Sequence, residues 1–190
     1  VHFSILDKNN KNIFNNNSEK GSKYLLRAIS GCLESMQDST LIFAPNHNSY
    51  NRFTAGAHAP TIINWGYENR TTAIRVPGGP NIAKRIEHRV AGGDANPYLV
   101  LSAILGAALN GMESKVDPPK PISGNGYESN GNTIIKDWKS AIERFAGSQE
   151  IKKIFHPLLI RGLVDCKNQE FNYFKEKSYN EIIQTTINAL

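Results

Sequence analysis

Hydrophobic and polar residues alternate with a period of two at the start of the chain. Val1, Phe3 and Ile5 take one set of positions, and His2 and Ser4 take the other. Because successive side chains of a β-strand point to opposite faces, this period predicts a strand with His2 and Ser4 on the same face. The sequence opens directly on this pattern with a valine, so we expect that it begins inside a β-strand of a longer protein.

Three later segments are also predicted as strands, because their apolar and β-branched residues are bounded by turn residues. They cover residues 61–65, 71–76 and 85–90. The segment 45–60 is rich in Asn, Gly, Ala and His and has no clear period. A long structured loop of this kind inside a compact domain is usually functional.

Two segments have the three-to-four-residue spacing of helices. The first covers about 22–39, and Gly31 is a weak point in its middle. Its predicted buried face consists of Leu25, Ile29, Cys32 and Met36. The second begins at the cap Asn96 and at Pro97 and runs to about Met112. It is apolar nearly all round, so we expect it to lie buried against the sheet.

The C-terminal part of the chain is predicted to be helical and charged on its outer faces. Residues 137–146 and much of 150–188 follow this pattern. The inner face of the first of these helices is marked by Trp138, Ala141, Ile142 and Phe145. Together the segments predict a single α+β domain over residues 1–190, with an antiparallel sheet backed by helices.

Composition narrows the class of protein. With 39% hydrophobic and 21% charged residues the chain is typical of globular proteins, and no apolar run reaches the roughly 18–20 residues of a membrane span. Cys32 and Cys166 lie far apart without a CxxC pair, which argues against a disulfide scaffold or a zinc site and favours a cytoplasmic location. The net charge of +5 comes from scattered arginines, so neither a membrane nor nucleic acid is an expected partner.

The segment from Arg85 to Arg89 has the clearest chemistry. On a strand, Arg85, Glu87 and Arg89 share one face, and Arg70 and Arg75 come shortly before them. Converging guanidinium groups suit a phosphate or carboxylate, and a carboxylate among them suits Mg²⁺ or Mn²⁺. An exposed face with internal ion pairs is the other interpretation of this segment.

Several short motifs follow one another at spacings that resemble those of the glutamine synthetase family. The motifs are 48–52 (NSYNR), 59–60 (AP), 65–66 (WG), 69–71 (NRT), 74–77 (IRVP), 85–87 (RIE), Arg89 and 95–99 (ANPYL). The resemblance identifies the chain as the C-terminal part of that family's catalytic domain. It implies an ATP-dependent ligase that joins ammonia or an amine to glutamate, uses Mg²⁺ or Mn²⁺, and forms a ring-shaped homo-oligomer, expected to be a dodecamer.

The resemblance also implies roles for individual residues. His2 and Ser4 match residues that contact the nucleotide, and Arg52 and Arg89 match residues that hold glutamate. Arg70 matches the residue that steadies the transferred phosphoryl group, and Arg75 and Arg85 match residues that face the ATP phosphates. Glu87 matches a metal ligand. The family's other metal ligands are expected upstream of residue 1, so the isolated chain is expected to be inactive.

One residue departs from the family's pattern. His58 occupies the place, just before Ala59 and Pro60, where the family normally has a glutamate that binds and deprotonates ammonium. A histidine is largely neutral at pH 7 and attracts a cation less than a carboxylate does. In this respect the chain resembles the γ-glutamylputrescine and γ-glutamylamide synthetase branch of the family. The resemblance implies that His58 binds the amine and accepts its proton. Two alternatives are a non-catalytic glutamine-synthetase-like protein and a guanidino phosphotransferase on a related scaffold.

Overall fold

A four-stranded sheet lies at the centre of the N-terminal half of the molecule. The computed structural model describes residues 1–187, and the strands are β1 (His2–Phe3), β2 (Trp65–Tyr67), β3 (Ile74–Val76) and β4 (Ile86–His88). Their order across the sheet is β1-β4-β3-β2. The α+β class predicted from the sequence is confirmed. β3 and β4 are shorter than the predicted segments 71–76 and 85–90, whereas β2 is shifted: it shares only Trp65 with the predicted strand 61–65 and continues into the predicted turn.

The sheet is mixed, so the expectation of a purely antiparallel sheet is wrong for one pair of strands. β4 is antiparallel to both β1 and β3, whereas β2 runs parallel to β3. The connection between β2 and β3 folds back on itself instead of forming a hairpin. It is held by side chains, because Asn64 accepts a hydrogen bond from the Ala73 backbone at 3.1 Å and Thr72 donates to the Asn69 carbonyl at 2.9 Å.

Helices surround the sheet and continue to the end of the described chain. They are α1 (Lys23–Glu34), α2 (Thr40–Phe43), α3 (Pro97–Ser114), α4 (Trp138–Gly147), α5 (Gln149–Ile154), α6 (Pro157–Phe174) and α7 (Tyr179–Ile187). Short 3₁₀ turns cover His47–Arg52, Asn81–Ala83 and Gly126–Glu128. The predicted start of α3 is confirmed, because Asn96 accepts hydrogen bonds from two backbone amides of the first turn and Pro97 is the first helical residue. The predicted helical end at Asn188 lies outside the described residues.

The helices α1 and α3 cross at a pair of glycines. A Cβ on Gly31 would lie 2.1 Å from the Ala107 carbonyl oxygen, and one on Gly111 would lie 2.2 Å from the Arg27 carbonyl oxygen. The glycine that looked like a weak point in α1 is therefore the point where α3 comes closest. On α1, Leu25, Ile29 and Cys32 are buried as predicted. The predicted helix over about 22–39 is wrong at its C-terminal end, because α1 ends at Glu34 and Met36 is buried in the turn that follows.

The expectation that α3 is buried on all sides against the sheet is wrong for the described part of the chain. α3 packs on α1 along one side and on α5 along another, where Gly106 leaves room for Ile154. Its third side remains open and exposes Tyr98, Leu101, Leu105 and Leu109. A uniformly apolar helix does not reveal from its sequence which of its sides has a neighbour.

The C-terminal helices pack through the predicted face of α4, whose four marker residues are all buried. A buried carboxylate joins this layer to the rest of the core: Asp38 accepts hydrogen bonds from the Arg144 guanidinium and from the Ser148 hydroxyl, the latter at 2.5 Å. Among residues 1–187, no helix combines the length and the apolar character that crossing a membrane requires.

Candidate functional site

Strand pairing places Glu87 between two cationic or potentially cationic side chains. In the register of the sheet, His2 on β1 and Arg75 on β3 both lie directly opposite Glu87 on β4. The Arg75 guanidinium donates to the Glu87 carboxylate at 2.9 Å, and the His2 Nε2 lies 3.7 Å from the other carboxylate oxygen. Neighbouring strands place directly opposed side chains within contact distance, so the contacts of Glu87 with His2 and Arg75 follow from the strand register.

Arg89, two residues further along the same face, completes the group. Its Nε lies 3.6 Å from Glu87, so this carboxylate has three nitrogen-bearing side chains around it. Burial alternates strictly from Lys84 to Val90, with the odd-numbered residues half-buried and the even-numbered ones buried. The prediction that Glu87 and Arg89 share a face is confirmed by their contact.

The Arg89 guanidinium is also bound to backbone. It donates to the carbonyl oxygens of Arg70 and of Thr72, the latter at 3.0 Å, and to that of His58 at 3.4 Å. These acceptors belong to the connection between β2 and β3 and to the loop before β2. Arg89 therefore ties two loops to the face that carries Glu87.

Arg75 is held by two carboxylates. One terminal nitrogen donates to Glu87, and the other donates to Glu68 at 3.2 Å. Burial of the guanidinium opposes its charge, but the hydrogen bonds and charges of the two carboxylates outweigh this and raise the pKa of Arg75. Its Nε is buried and has no hydrogen-bond partner in the described part of the chain. Glu68 was not predicted as a site residue, because residues 66–70 indicate only a turn.

The opposite face of β4 is apolar and contains a buried histidine. The His88 ring lies 4.8 Å from the Phe43 ring, and its Nδ1 is buried with no hydrogen-bond partner among residues 1–187. Burial lowers the pKa of His88 from 6.5 to about 3. The His88 ring is thus neutral at pH 7. It lies on the buried side of β4, opposite the charged face, which is the side that carries Glu87 and Arg89.

Arg52 lies apart from this group. Its guanidinium stacks on Phe53, 4.3 Å from the ring centroid, and donates to the Phe43 carbonyl at 2.9 Å. It lines a cleft of about 840 Å³ with Asn46, Asn48 and Asp94 and with residues of the C-terminal helices. Within the described residues it has no hydrogen bond or ion pair to Glu87 or Arg89. Burial lowers the pKa of Arg52, although the Asp94 charge opposes this shift.

The remaining sequence-predicted residues surround the group without joining it. Ser4 is exposed and follows the end of β1. The Arg85 guanidinium turns away to the Ala83 carbonyl at 3.3 Å. Arg70 is exposed at a cleft of about 600 Å³, and His58 is exposed in the left-handed conformation with φ at 60°.

The charged face has more guanidinium groups than metal-ligating side chains. Arg75 and Arg89 lie on it and already donate to carboxylates or backbone carbonyls, and Arg70 is exposed on the connection between β2 and β3. A guanidinium is a group that suits a phosphate or carboxylate. Glu87 offers the hard oxygen that Mg²⁺ or Mn²⁺ prefers. Throughout residues 1–187, however, no three His, Cys, Asp or Glu side chains lie together as a metal site would need. The described residues therefore do not form a metal site by themselves.

Comparisons with known proteins identify relatives of this chain. The family model described as "Glutamine synthetase, catalytic domain" matches residues 1–185. The gamma-glutamylputrescine synthetase PuuA of Escherichia coli (strain K12) is 33% identical over 175 residues, which are 92% of this chain and 37% of that protein. The glutamine synthetase of Sulfolobus acidocaldarius is 33% identical over 185 residues, covering 90% of this chain and 39% of that protein.

A solved structure shares the fold. The chain described as "Apo GmaS without ligand" superimposes with a TM-score of 0.83 at 25% sequence identity, covering 98% of this chain and 44% of that one. The present chain therefore spans less than half the length of the proteins that it resembles.

Proposed function

This chain belongs to the glutamine synthetase family, and we propose that it is the phosphate-facing part of an ATP-dependent ligase acting on glutamate. The proposed reaction joins ammonia or a primary amine to the γ-carboxylate of glutamate, in a protein of its relatives' length. One observation carries the proposal: Arg75, Arg89 and His2 converge on the single carboxylate of Glu87. Such a group is suited to neutralising the charge that spreads over a phosphoryl group during its transfer.

In the proposed first step, a γ-carboxylate oxygen of glutamate attacks the γ-phosphorus of ATP, and ADP leaves. Arg75 and Arg85 are proposed to face the ATP phosphates with His2 and Ser4 at the nucleotide, and Arg70 is proposed to steady the transferred phosphoryl group. In the second step the amine nitrogen attacks the acyl carbon of γ-glutamyl phosphate, inorganic phosphate leaves, and the proton that the amine loses is proposed to pass to His58. Arg52 and Arg89 are proposed to hold glutamate throughout.

A divalent cation, Mg²⁺ or Mn²⁺, would supply charge neutralisation at the phosphates when bound. Glu87 is the proposed ligand from this chain, and the other ligands would come from outside the described residues. A cytoplasmic, ring-shaped homo-oligomer belongs to the same proposal. Sedimentation of the intact protein tests the oligomeric state independently of its activity.

The identity of the nucleophile depends on His58. Its carbonyl oxygen accepts a hydrogen bond from Arg89, so the loop that carries this side chain is attached to the charged face. A histidine lacks the fixed negative charge with which a carboxylate recruits ammonium, whereas an organic amine also brings carbon atoms that can be buried. We therefore propose a primary amine or polyamine as the preferred nucleophile. The relative named as a gamma-glutamylputrescine synthetase supports this choice.

The test measures ATP-dependent phosphate release by the intact protein with glutamate and either putrescine or ammonium at neutral pH. We expect a higher kcat/KM for putrescine, and we expect His58→Glu to shift the ratio toward ammonium. If ammonium is preferred by tenfold or more, equivalent to about 1.4 kcal/mol in transition-state binding, the enzyme is an ordinary glutamine synthetase and His58 is a tolerated substitution. The absence of phosphate release with every nucleophile would favour a non-catalytic family member.

A further inference from the structure

Glu68 is placed at the charged face by several independent features. Its carboxylate accepts a hydrogen bond from Arg75, and its backbone amide donates to the Val76 carbonyl at 3.0 Å. Its φ of 51° lies in the left-handed region, which residues with side chains rarely adopt. A residue kept in this conformation is a reason to look for a function of its side chain.

The chain also leaves space for this carboxylate. A Cβ on Gly78 would lie 2.7 Å from the Glu68 Oε1, so any larger residue there would push the carboxylate aside. Gly78, whose backbone angle other residues can also adopt, thus leaves the space that the end of the Glu68 side chain occupies. The left-handed turn, the hydrogen bond to Arg75 and the gap at Gly78 all place one carboxylate at one point.

We propose that Glu68 is a positioning residue that fixes the plane of the Arg75 guanidinium for nucleotide binding; this rests on the proposed role of Arg75 at the ATP phosphates. A guanidinium is a rigid planar fork, and two acceptors on its two terminal nitrogens fix its orientation. With Glu87 as the only acceptor, the fork could rotate until both arms met that carboxylate. Glu68 accepts from one terminal nitrogen, so that Arg75 stays shared between β4 and the connection that follows β2.

The burial of the three side chains fits this division. Arg75 is 11% exposed and Glu87 is 18% exposed, whereas Glu68 is 59% exposed. Glu68 thus approaches Arg75 from the solvent side, and Glu87 approaches it from inside the sheet. A surface ion pair of this kind contributes little to stability, so the expected effect of losing it is on binding.

The experiment separates the position of the carboxylate from its charge. Glu68→Asp shortens the side chain and Gly78→Ala displaces it, and both keep the charge. Glu68→Gln removes the charge but keeps an oxygen that can accept from Arg75. Glu113→Asp, at an exposed position on α3, is the matched control. The measurements on the intact protein are the KM values for ATP and for glutamate, and the equilibrium Kd for ATP by calorimetry.

We expect Glu68→Asp and Gly78→Ala each to raise the KM and the Kd for ATP three- to tenfold, with the KM for glutamate unchanged within twofold. Their effects should not multiply in the double variant, because both displace the same carboxylate. Glu68→Gln should bind ATP no more weakly than the wild type, and Glu113→Asp should have no effect.

Arg75→Lys decides between the possible failures. If Arg75→Lys weakens ATP binding while Glu68→Asp and Gly78→Ala do not, the positioning role is wrong and the proposed function stands. If Arg75→Lys has no effect on ATP binding, the positioning role of Glu68 is also wrong, because Arg75 would then not contribute to ATP binding. If the wild type binds ATP but does not release phosphate, the binding data alone still decide the role of Glu68 while the proposed ligase activity fails.

Discussion

The crossing of α1 and α3 gives a sharp test of the packing, through the substitution Gly31→Ala. In an isolated helix this change would be stabilising by roughly 0.5–1 kcal/mol, because alanine has less conformational freedom to lose than glycine. In the folded protein the new methyl group would lie 2.1 Å from the Ala107 carbonyl oxygen and 2.7 Å from backbone atoms of Gly111. These are backbone atoms, so no side-chain rotation can relieve the clash.

The two effects have opposite signs, and the clash should be the larger. Forcing extra atoms into a packed contact typically costs about 1–3 kcal/mol, and here two helices must separate along their length. We therefore expect Gly31→Ala to lower the free energy of unfolding by about 1–2 kcal/mol after the gain in helix propensity is subtracted. For a protein of this size each kcal/mol corresponds to roughly 2–4 °C in Tm.

The assay is urea unfolding followed by circular dichroism, with Gly162→Ala as the matched control. Gly162 also lies inside a helix, α6, but a Cβ there would have no atom within 4 Å. Gly162→Ala should therefore stabilise the protein by roughly 0.5–1 kcal/mol. If Gly31→Ala were as stable as Gly162→Ala, the close crossing of the two helices would be wrong.

Three other substitutions test the buried and charged groups. Between pH 6.5 and its lowered pKa of about 3, His88 binds protons only in the unfolded state, so the free energy of unfolding should fall as the pH falls, by about 2 kcal/mol at pH 5. A His88→Leu variant should lose less stability over this range. Equal losses would contradict the burial of an uncharged ring. Asp38→Ala should lower the free energy of unfolding by about 2 kcal/mol, because the Arg144 and Ser148 donors lose their acceptor; no change in the urea midpoint would mean that the carboxylate is dispensable. In the intact protein Glu87→Gln should abolish ATP-dependent phosphate release, and unchanged turnover with unchanged Mn²⁺ affinity would remove Glu87 from the proposed site.

The charged face was predictable because strand alternation is a local property. The period of two over residues 85–90 predicts that Glu87 and Arg89 share a face, and the structure has them in contact. The start of α3 was predictable for the same reason, since a cap and a first-turn proline act within a few residues. Chemistry that depends on such local geometry can therefore be predicted from the sequence alone.

The features that the sequence did not predict depend on contacts between distant segments. The parallel pairing of β2 and β3 depends on side chains that fold their connection back, and a list of strands does not specify it. Glu68 acquires its position only when Arg75 and Gly78 are beside it. The direction of the Arg52 guanidinium likewise depends on the Phe43 carbonyl, nine residues away along the chain.

The anchoring of Arg89 on backbone carbonyls has a consequence for how this site can evolve. A carbonyl is present whatever side chain its residue carries, so the contacts of Arg89 with His58, Arg70 and Thr72 impose no choice of amino acid at those positions. A glutamate and a histidine at position 58 would present the same acceptor to Arg89. If position 58 sets the nucleophile as proposed, that preference can change by substitution of this one residue while the loop keeps its attachment to the charged face.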